Sequence, residues 1–314
     1  MKNIIFMFVL LIVSFFSGCT NFDYGSENFT LLYDVERQNP EENDLKEHEL
    51  KLMSFNVRAA VIWTDPLFFN MGNWNKRKEL VETVLKNHDA DILGLQEVMT
   101  NNQLKDISSY LSEHDFYAVG RGNRPDVGES CPIFWRKDRF ELLDKGTFWF
   151  SPTPNRPGSK YSSIIVPRIC SWVCLFDRLN DERLYVFNLH LDPFSQSSRN
   201  RGMELLYKQI SSMDIKDPLI IMGDFNMSKN NYAMSILKNN LFGLGIELRN
   251  SWRILDSNKN LPATFHDFNG GNNGPKIDHI LVCEKIFVSS IKTEDYSFNG
   301  QYPSDHFPVV VETR

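Results

Sequence analysis

Acidic, amide and imidazole side chains recur at the ends of short apolar runs throughout residues 50–314, and this placement constrains the chain more than any single motif. The runs cover residues 50–57, 92–95, 133–135, 168–177, 184–191, 219–223, 277–282 and 309–312, and their length and composition predict strands. Strand ends are where a rigid scaffold holds polar groups at the mouth of a cleft. Asn56 ends the first run, and Glu97 follows Ile92-Leu93-Gly94-Leu95-Gln96. Alternation along residues 184–192 puts Asn188, His190 and Asp192 on one strand face, with Phe187, Leu189 and Leu191 on the other. Asp224 and Asn226 follow the run 219–223, Asp278 and His279 interrupt the run 277–282, and Ser304-Asp305-His306 precedes the last run. Each alone reads equally well as a turn former, a helix cap or a packed histidine. Together they imply gathered carboxylates, whose mutual repulsion a hard cation such as Mg²⁺ or Mn²⁺ relieves through oxygen ligands.

Helical patterns separate the strands. The clearest spans residues 76–87, where Leu80, Val81, Val84 and Leu85 form an apolar stripe beside Lys78, Glu79, Glu82 and Lys86. Two more are predicted near residues 198–213 and 231–239. Many strands with few helices predict an α/β fold in which two mixed, mostly antiparallel sheets pack face to face with helices on the outer faces, a four-layer α/β/β/α sandwich. No Pro/Gly-rich break divides residues 50–314, so they are expected to form a single catalytic domain.

The N-terminus reads differently. Lys2 precedes residues 4–16, which carry no charge and one polar side chain, Ser14. That run is too short to span a bilayer and fits the apolar core of a secretory signal over residues 1–18. Phe16-Ser17-Gly18-Cys19 is similar to a bacterial lipoprotein cleavage box, with Phe16 in place of the usual Leu and Cys19 as the lipidated residue. An ordinary signal peptide and an uncleaved anchor are the alternatives. Residues 20–49 hold nine acidic side chains against Arg37 and Lys46, so residues 19–49 are expected to be an acidic, flexible tether. The resulting expectation is an exported protein, held by its lipid to a bacterial membrane and facing the periplasm or the exterior.

The whole chain has a net charge of −6, and setting the tether and signal aside leaves equal numbers of acidic and basic residues. A protein that grips long nucleic acid usually presents a basic surface, so nucleic acid is possible as a substrate but not favoured. Cys131, Cys170, Cys174 and Cys283 lack CxxC spacing, which argues against a zinc site. If Cys170 and Cys174 share a strand they stand about 13 Å apart and cannot bridge, which leaves buried free thiols as the default.

The ordered set Asn56, Gln96-Glu97, Asn188-Leu189-His190, Gly223-Asp224-Phe225-Asn226, Ile277-Asp278-His279 and Ser304-Asp305-His306 resembles the full motif series of the endonuclease/exonuclease/phosphatase superfamily. Gly72-Asn73-Trp74 with Arg77-Lys78, Gly128-Glu129 before Pro132-Ile133-Phe134, residues 136–148, Pro167-Arg168, Ala263-Thr264-Phe265-His266 and Tyr302-Pro303 are similar to a bacterial, often exported subgroup of metal-dependent hydrolases. One departure stands out. The subgroup usually continues its first motif with Arg-Tyr-Asp, whereas Arg58 here is followed by Ala59 and Ala60.

The resemblance implies cleavage of a phosphate ester by in-line attack of an activated water, with Mg²⁺ or Mn²⁺ as cofactor. In that frame Glu97 ligates the metal, with Asn56 and Asp305 completing or supporting its shell. His306 acts as general base and Asp278 holds its imidazole. Asp224 and Asn226 position the nucleophile and phosphate, and His190 donates to a non-bridging oxygen. Arg58, Arg77, Arg121, Glu129, Arg168, Asp192 and His266 are candidates for substrate contact, the arginines because a guanidinium fork suits phosphate oxygens. The favoured substrate is an extracellular small-molecule or glycan-linked phosphate. The alternatives are an extracellular nuclease, a sphingomyelinase-like lipid hydrolase, hinted at by the aromatic segment 61–69, and a surface protein that binds without catalysis.

Overall fold

The structure is a computed structural model that describes residues 49–60, 73–254 and 263–314. The expected signal, lipidated cysteine and nearly all of the tether, together with the aromatic segment 61–69, lie outside the described residues. In chain order the strands are β1 (Lys51–Asn56), β2 (Ile92–Gln96), β3 (Val98–Met99), β4 (His114–Tyr117), β5 (Glu129–Ser130), β6 (Ile133–Arg136), β7 (Phe140–Trp149), β8 (Ile169–Asp177), β9 (Glu182–His190), β10 (Leu219–Asp224), β11 (Leu248–Asn250), β12 (Asp278–Cys283), β13 (Val288–Thr293) and β14 (Val309–Thr313). The helices are α1 (Trp74–His88), α2 (Asn102–Tyr110), α3 (Gln196–Ser212), α4 (Tyr232–Phe242) and the short α5 (Ser251–Ile254).

Two six-stranded sheets result. Their strand orders are β13-β14-β1-β2-β6-β4 and β11-β12-β10-β9-β8-β7, with a small β3-β5 pair beside them. Each sheet carries one parallel pair, β1/β2 or β9/β10, and pairs antiparallel elsewhere. Leu52, Ile92, Ile133 and Trp135 of the first sheet share one apolar cluster with Val173, Val186, Ile220 and Met222 of the second, which fills the space between them. Met53, Phe55, Leu93 and Leu95 point the other way and bury Val81, Val84 and Leu85 of α1 and Ile107 of α2. Met203, Leu206 and Ile210 of α3 and Met234, Leu237 and Leu241 of α4 pack with the second sheet. This is the expected four-layer sandwich.

The eight runs read as strands from the sequence are the eight inner strands, four in each sheet. Of the six strands that sequence patterning does not reveal, four are the sheet edges, β4, β7, β11 and β13, and the other two form the small β3-β5 pair. Inner strands of two packed sheets are covered on both faces and therefore become continuous apolar runs. An edge strand pairs on one side only. Phe140–Trp149 shows the consequence: its middle is exposed Glu141, Asp144 and Lys145, and a register shift between Leu142 and Asp144 breaks what alternation remains. Helix α2 was hidden for a related reason, since only Gln103 and Ile107 of its nine residues are buried.

Close approach of the sheets is set by a glycine. A Cβ on Gly94 would stand 2.6 Å from Met222 Sδ and 2.9 Å from Asn188 Cγ. That absence of a side chain lets two buried amides meet across the sandwich, with Gln96 Nε2 donating to Asn188 Oδ1 at 2.7 Å. Asn188 Nδ2 in turn donates to the carbonyls of Leu95 and Pro132, each at 2.8 Å. All its hydrogen-bonding capacity here serves to fix the two sheets relative to each other.

His279 is a second internal fastening. It is fully buried, with Nε2 2.8 Å from the Met227 carbonyl and Nδ1 3.2 Å from Asn250 Nδ2. Burial is the main force pushing its proton affinity down, from 6.5 to about 4. The unfolded chain therefore binds more protons than the fold between those values. The stabilising contribution is complete above pH 6.5 and is lost as pH falls towards about 4, to the extent of about 3 kcal/mol at ~1.4 kcal/mol per pH unit. His279→Gln, which cannot titrate, is expected to be less stable than the wild type at pH 7, with the gap in unfolding free energy narrowing as the pH drops to 4. Denaturant melts across that range check it, and a gap independent of pH refutes the assignment.

Candidate active site

The parallel pairs and their antiparallel neighbours bring the chemistry to one end of the sandwich. Strands β1, β2, β9 and β10 deliver Asn56, Glu97, His190 and Asp224 at their C-terminal ends. Strand β12 runs antiparallel to β10 and begins there, so Asp278 pairs in register with Asp224. Strand β14 runs antiparallel to β1, so the segment before it returns to the same end with Asp305 and His306. Six distant motifs converge because strand direction, not sequence distance, decides where a strand's ends lie.

Asp224 Oδ2 is the hub. It accepts from Asn56 Nδ2 at 3.1 Å and lies 3.5 Å from His190 Nε2 and 3.8 Å from His306 Nε2. Its other oxygen is fixed by the backbone N–H of Asn226 at 2.8 Å. The turn that allows this needs unusual backbone. Gly223 has φ +144, where a Cβ would lie 2.0 Å from the Leu189 carbonyl oxygen, and Asn226 has φ +51. Asn226 Nδ2 donates to the Leu191 carbonyl at 3.0 Å.

On one side of the hub, Asn56 Nδ2 also donates to Glu97 Oε1 at 3.2 Å, and Glu97 Oε2 accepts from the backbone N–H of Ala59 at 3.0 Å. Arg58 Nη1 stands 3.9 Å from Glu97 Oε2 and 3.5 Å from Asp305 Oδ2. Burial alone would raise the Glu97 proton affinity, but Arg58 and the nearby groups hold that carboxyl well below the usual range. The Ala59-Ala60 departure from the subgroup pattern therefore leaves a defined local structure. Ala59 and Ala60 act through backbone N–H groups, the second donating to Gln103 Oε1 at 3.0 Å.

On the other side, His306 Nδ1 lies 2.9 Å from Asp278 Oδ2, which leaves Nε2 facing Asp224. Burial would lower the His306 proton affinity, yet Asp278, Asp224 and Asp305 together raise it well above the ordinary histidine value. Asp224 is pushed up by burial and by the Asp278 charge. Thr264 Oγ1 accepts from the backbone N–H groups of Ile277 and Asp278 at 2.9 and 3.1 Å, and Ser304 Oγ donates to the Asn56 carbonyl at 2.6 Å. The ring of Phe265 packs edge-on against His306 with centroids 5.0 Å apart.

The remaining sequence candidates divide. Arg121 and Glu129 form an ion pair beside Glu97, His190 and Arg168, all lining one depression next to the hub. Arg77 has a different task from the substrate contact expected of it. It is 2% exposed, and its guanidinium donates to the carbonyls of Val57, Arg58 and Pro303, tying the loop after β1 to the loop before His306. Asp192 is likewise engaged elsewhere, since its Oδ1 caps the turn into α3 by accepting from Phe194 N at 3.0 Å and Ser195 N at 2.7 Å. His266 lies behind Asp305 and His306, stacked 3.8 Å from Phe307, with Nδ1 accepting from Gly270 N at 3.1 Å. Gln103 escaped sequence reasoning, although it also donates to the Arg58 carbonyl at 2.9 Å; a buried amide on a weakly patterned helix gives no distinct signal. Ser304 and Asn188 lay inside recognised motifs without an assigned task.

The donor set suits a hard divalent cation. Glu97, Asp224, Asp278, Asp305 and the Asn56 amide offer oxygens, and Asp278 Oδ1 is buried with no hydrogen-bond partner among the described residues. One atom each of Asp224, Asp278 and His306 lie within 4.8 Å of one another, and the same holds for Glu97, Glu129 and His190. The four described cysteines are all buried free thiols and take no part.

The fold is similar to those of solved proteins. A structure from Bacteroides vulgatus described as an endonuclease/exonuclease/phosphatase is 27% identical, with a TM-score of 0.76 over 85% of this chain and 99% of that one. A mannosyl-6-phosphatase from Bacteroides thetaiotaomicron is 30% identical, with a TM-score of 0.73 over 84% of this chain and 99% of that one. The CCR4-Not complex 3'-5'-exoribonuclease subunit Ccr4 of Aspergillus niger is 29% identical over 162 residues, which are 46% of this chain and only 25% of that protein. The Endonuclease/Exonuclease/phosphatase family profile matches residues 53–306, from β1 to the histidine of the Asp278 dyad, and the chain is a phosphoesterase belonging to that family.

Proposed function

We propose that the protein is a Mg²⁺- or Mn²⁺-dependent phosphatase that removes a terminal phosphoryl group from a small-molecule or glycan-linked phosphate outside the cytoplasm. The observation that carries this reading is the Asp224 hub flanked by His190 and by the His306–Asp278 dyad, in a pocket whose carboxylates call for a cation. The 30% identity to a mannosyl-6-phosphatase over nearly the whole fold supports a sugar phosphate.

Phosphate esters resist water because the anionic phosphoryl group repels nucleophiles and the alkoxide leaves reluctantly. Glu97, Asn56 and Asp305 would hold a divalent cation, which would supply charge neutralisation at the phosphoryl group and offset the carboxylate charge that raises the His306 proton affinity. Water hydrogen-bonded to Asp224 Oδ2 stands within reach of His306 Nε2, which takes its proton. Asp278 accepts from Nδ1 and stabilises the imidazolium that forms. Asn226 fixes the Asp224 carboxylate through its backbone N–H, and His190 faces a non-bridging phosphoryl oxygen. Ser304 and Arg77 hold the loops that carry Asn56 and Asp305.

EDTA is expected to abolish hydrolysis, with Mg²⁺ or Mn²⁺ restoring it. A substrate panel of sugar 6-phosphates including mannose 6-phosphate, aryl diesters, and single- and double-stranded nucleic acids should show the highest kcat/KM on a sugar phosphate. Chelator-resistant activity overturns the metal assignment, and a preference for nucleic acid overturns the substrate.

His306→Ala should lower kcat by about 10²-fold or more, as loss of a general base does, while phosphate affinity is retained. Unchanged kcat removes His306 from the chemistry. The export reading rests on Cys19 and the apolar run before it. Cys19→Ala should move the protein from the detergent-soluble membrane fraction to the aqueous one, and a variant that stays with membranes contradicts lipid anchoring there.

A further inference from the structure

Three arginines stand around the cleft, and two of them meet carboxylates. Arg58 lies between Glu97 and Asp305, and Arg121 pairs with Glu129. Arg168 does not. It is only 8% exposed, and among the described residues no carboxylate oxygen lies within ion-pair distance of it. Its Nε is buried with no hydrogen-bond partner among the described residues. Its Nη1 lies 3.1 and 3.3 Å from the two ring nitrogens of His190, and a neutral imidazole offers only one lone pair. Burying an unpaired cation is strongly unfavourable unless an anion arrives to accompany it.

The surroundings define that anion. Burial and the like charge of Arg121 both press on the Arg168 guanidinium, more than Glu129, Asp192 and Glu97 relieve it. The depression it lines also contains Glu97 and His190, and His190 Nε2 lies 3.5 Å from Asp224 Oδ2, so Arg168 stands next to the hub. Ser130, Cys131 and Ile169 also line it, each at most 3% exposed.

We propose that Arg168 selects phosphomonoesters, by pairing with the second negative charge of a terminal phosphoryl group. This rests on the phosphatase reading above and adds its basis for choosing monoesters over diesters. A monoester dianion has one charged oxygen for the cation side and one for Arg168. A diester brings a single charge, which leaves the Arg168 guanidinium without its second anionic oxygen.

Inorganic phosphate, the product and the smallest ligand of this kind, is the probe. Calorimetric titration of the Mg²⁺-loaded protein with phosphate is expected to show about 10- to 100-fold weaker binding in Arg168→Met, the loss appropriate to charge-assisted hydrogen bonds. Arg168→Lys should recover part of that affinity. In phosphate-free buffer the melting temperature of Arg168→Met should equal or exceed that of the wild type, because an unpaired buried charge has been removed. With p-nitrophenyl phosphate, kcat/KM should fall by the same factor as phosphate affinity, while bis(p-nitrophenyl) phosphate loses less than about threefold. Unchanged phosphate affinity in Arg168→Met, equal losses on the two substrates, or lowered melting temperatures in both variants each overturn the proposal. A wild type that hydrolyses only the diester refutes the phosphatase reading instead, and the phosphate titration then decides Arg168 by itself.

Discussion

Glu97, Asp224, Asp278 and Asp305 are gathered within one largely buried cleft, and the repulsion among them is the constraint around which the rest of the molecule is arranged. In water such carboxylates would move apart. Here strand ends hold them together, and each is tempered by a particular neighbour: Arg58 for Glu97 and Asp305, His306 for Asp278, and the amide of Asn56 for Asp224. The compensation is incomplete, as the raised proton affinity of Asp224 and the unpartnered Asp278 Oδ1 indicate. A site left short of positive charge in this way is prepared for a cation, and electrostatic preorganisation of this kind is the main resource of phosphoryl-transfer catalysis.

Rigidity beneath the cleft makes that arrangement tolerable. The Gln96–Asn188 contact locks the two sheets where Gly94 lets them approach, and His279 and Thr264 fasten the start of β12 so that Asp278 cannot retreat from the hub. Strained backbone sits where it is needed, at Arg58, Glu97 and Asn226, all non-glycine residues with φ between +51 and +60. Such conformations persist when the surroundings over-determine them, and here they aim catalytic side chains that a regular strand would point elsewhere.

The arginines illustrate how one residue type takes different tasks in different surroundings. Arg77 clamps three carbonyls and positions loops, Arg121 is neutralised by Glu129, Arg58 bridges two acids, and Arg168 keeps an unshared charge beside the hub. Sequence could place all four near the chemistry, because they lie close to recognised motifs. It could not rank them, since the ranking depends on which carboxylates and carbonyls the folded chain happens to bring within reach. Asp192 shows the same limit: alternation predicts it on the face of His190, yet it lies beyond the end of β9 and its oxygen caps the turn into α3.

The inner strands, three of the helices and the acids, amides and imidazoles that gather at one end of the sandwich were legible in the sequence. Burial on both faces writes itself as continuous apolar runs, and the chemistry of phosphate transfer demands particular acids, amides and imidazoles at the ends of those runs. The sheet edges and α2 were not legible, because a strand paired on one side or a helix with two buried residues is under little compositional pressure. What only the tertiary structure decided is how the convergent groups share their charges. Sequence alone determined which acids, amides and imidazoles stand at strand ends; the distances of a few ångströms over which Coulomb interactions act were set by register, strand direction and the approach of two sheets, none of which any local stretch of the chain contains.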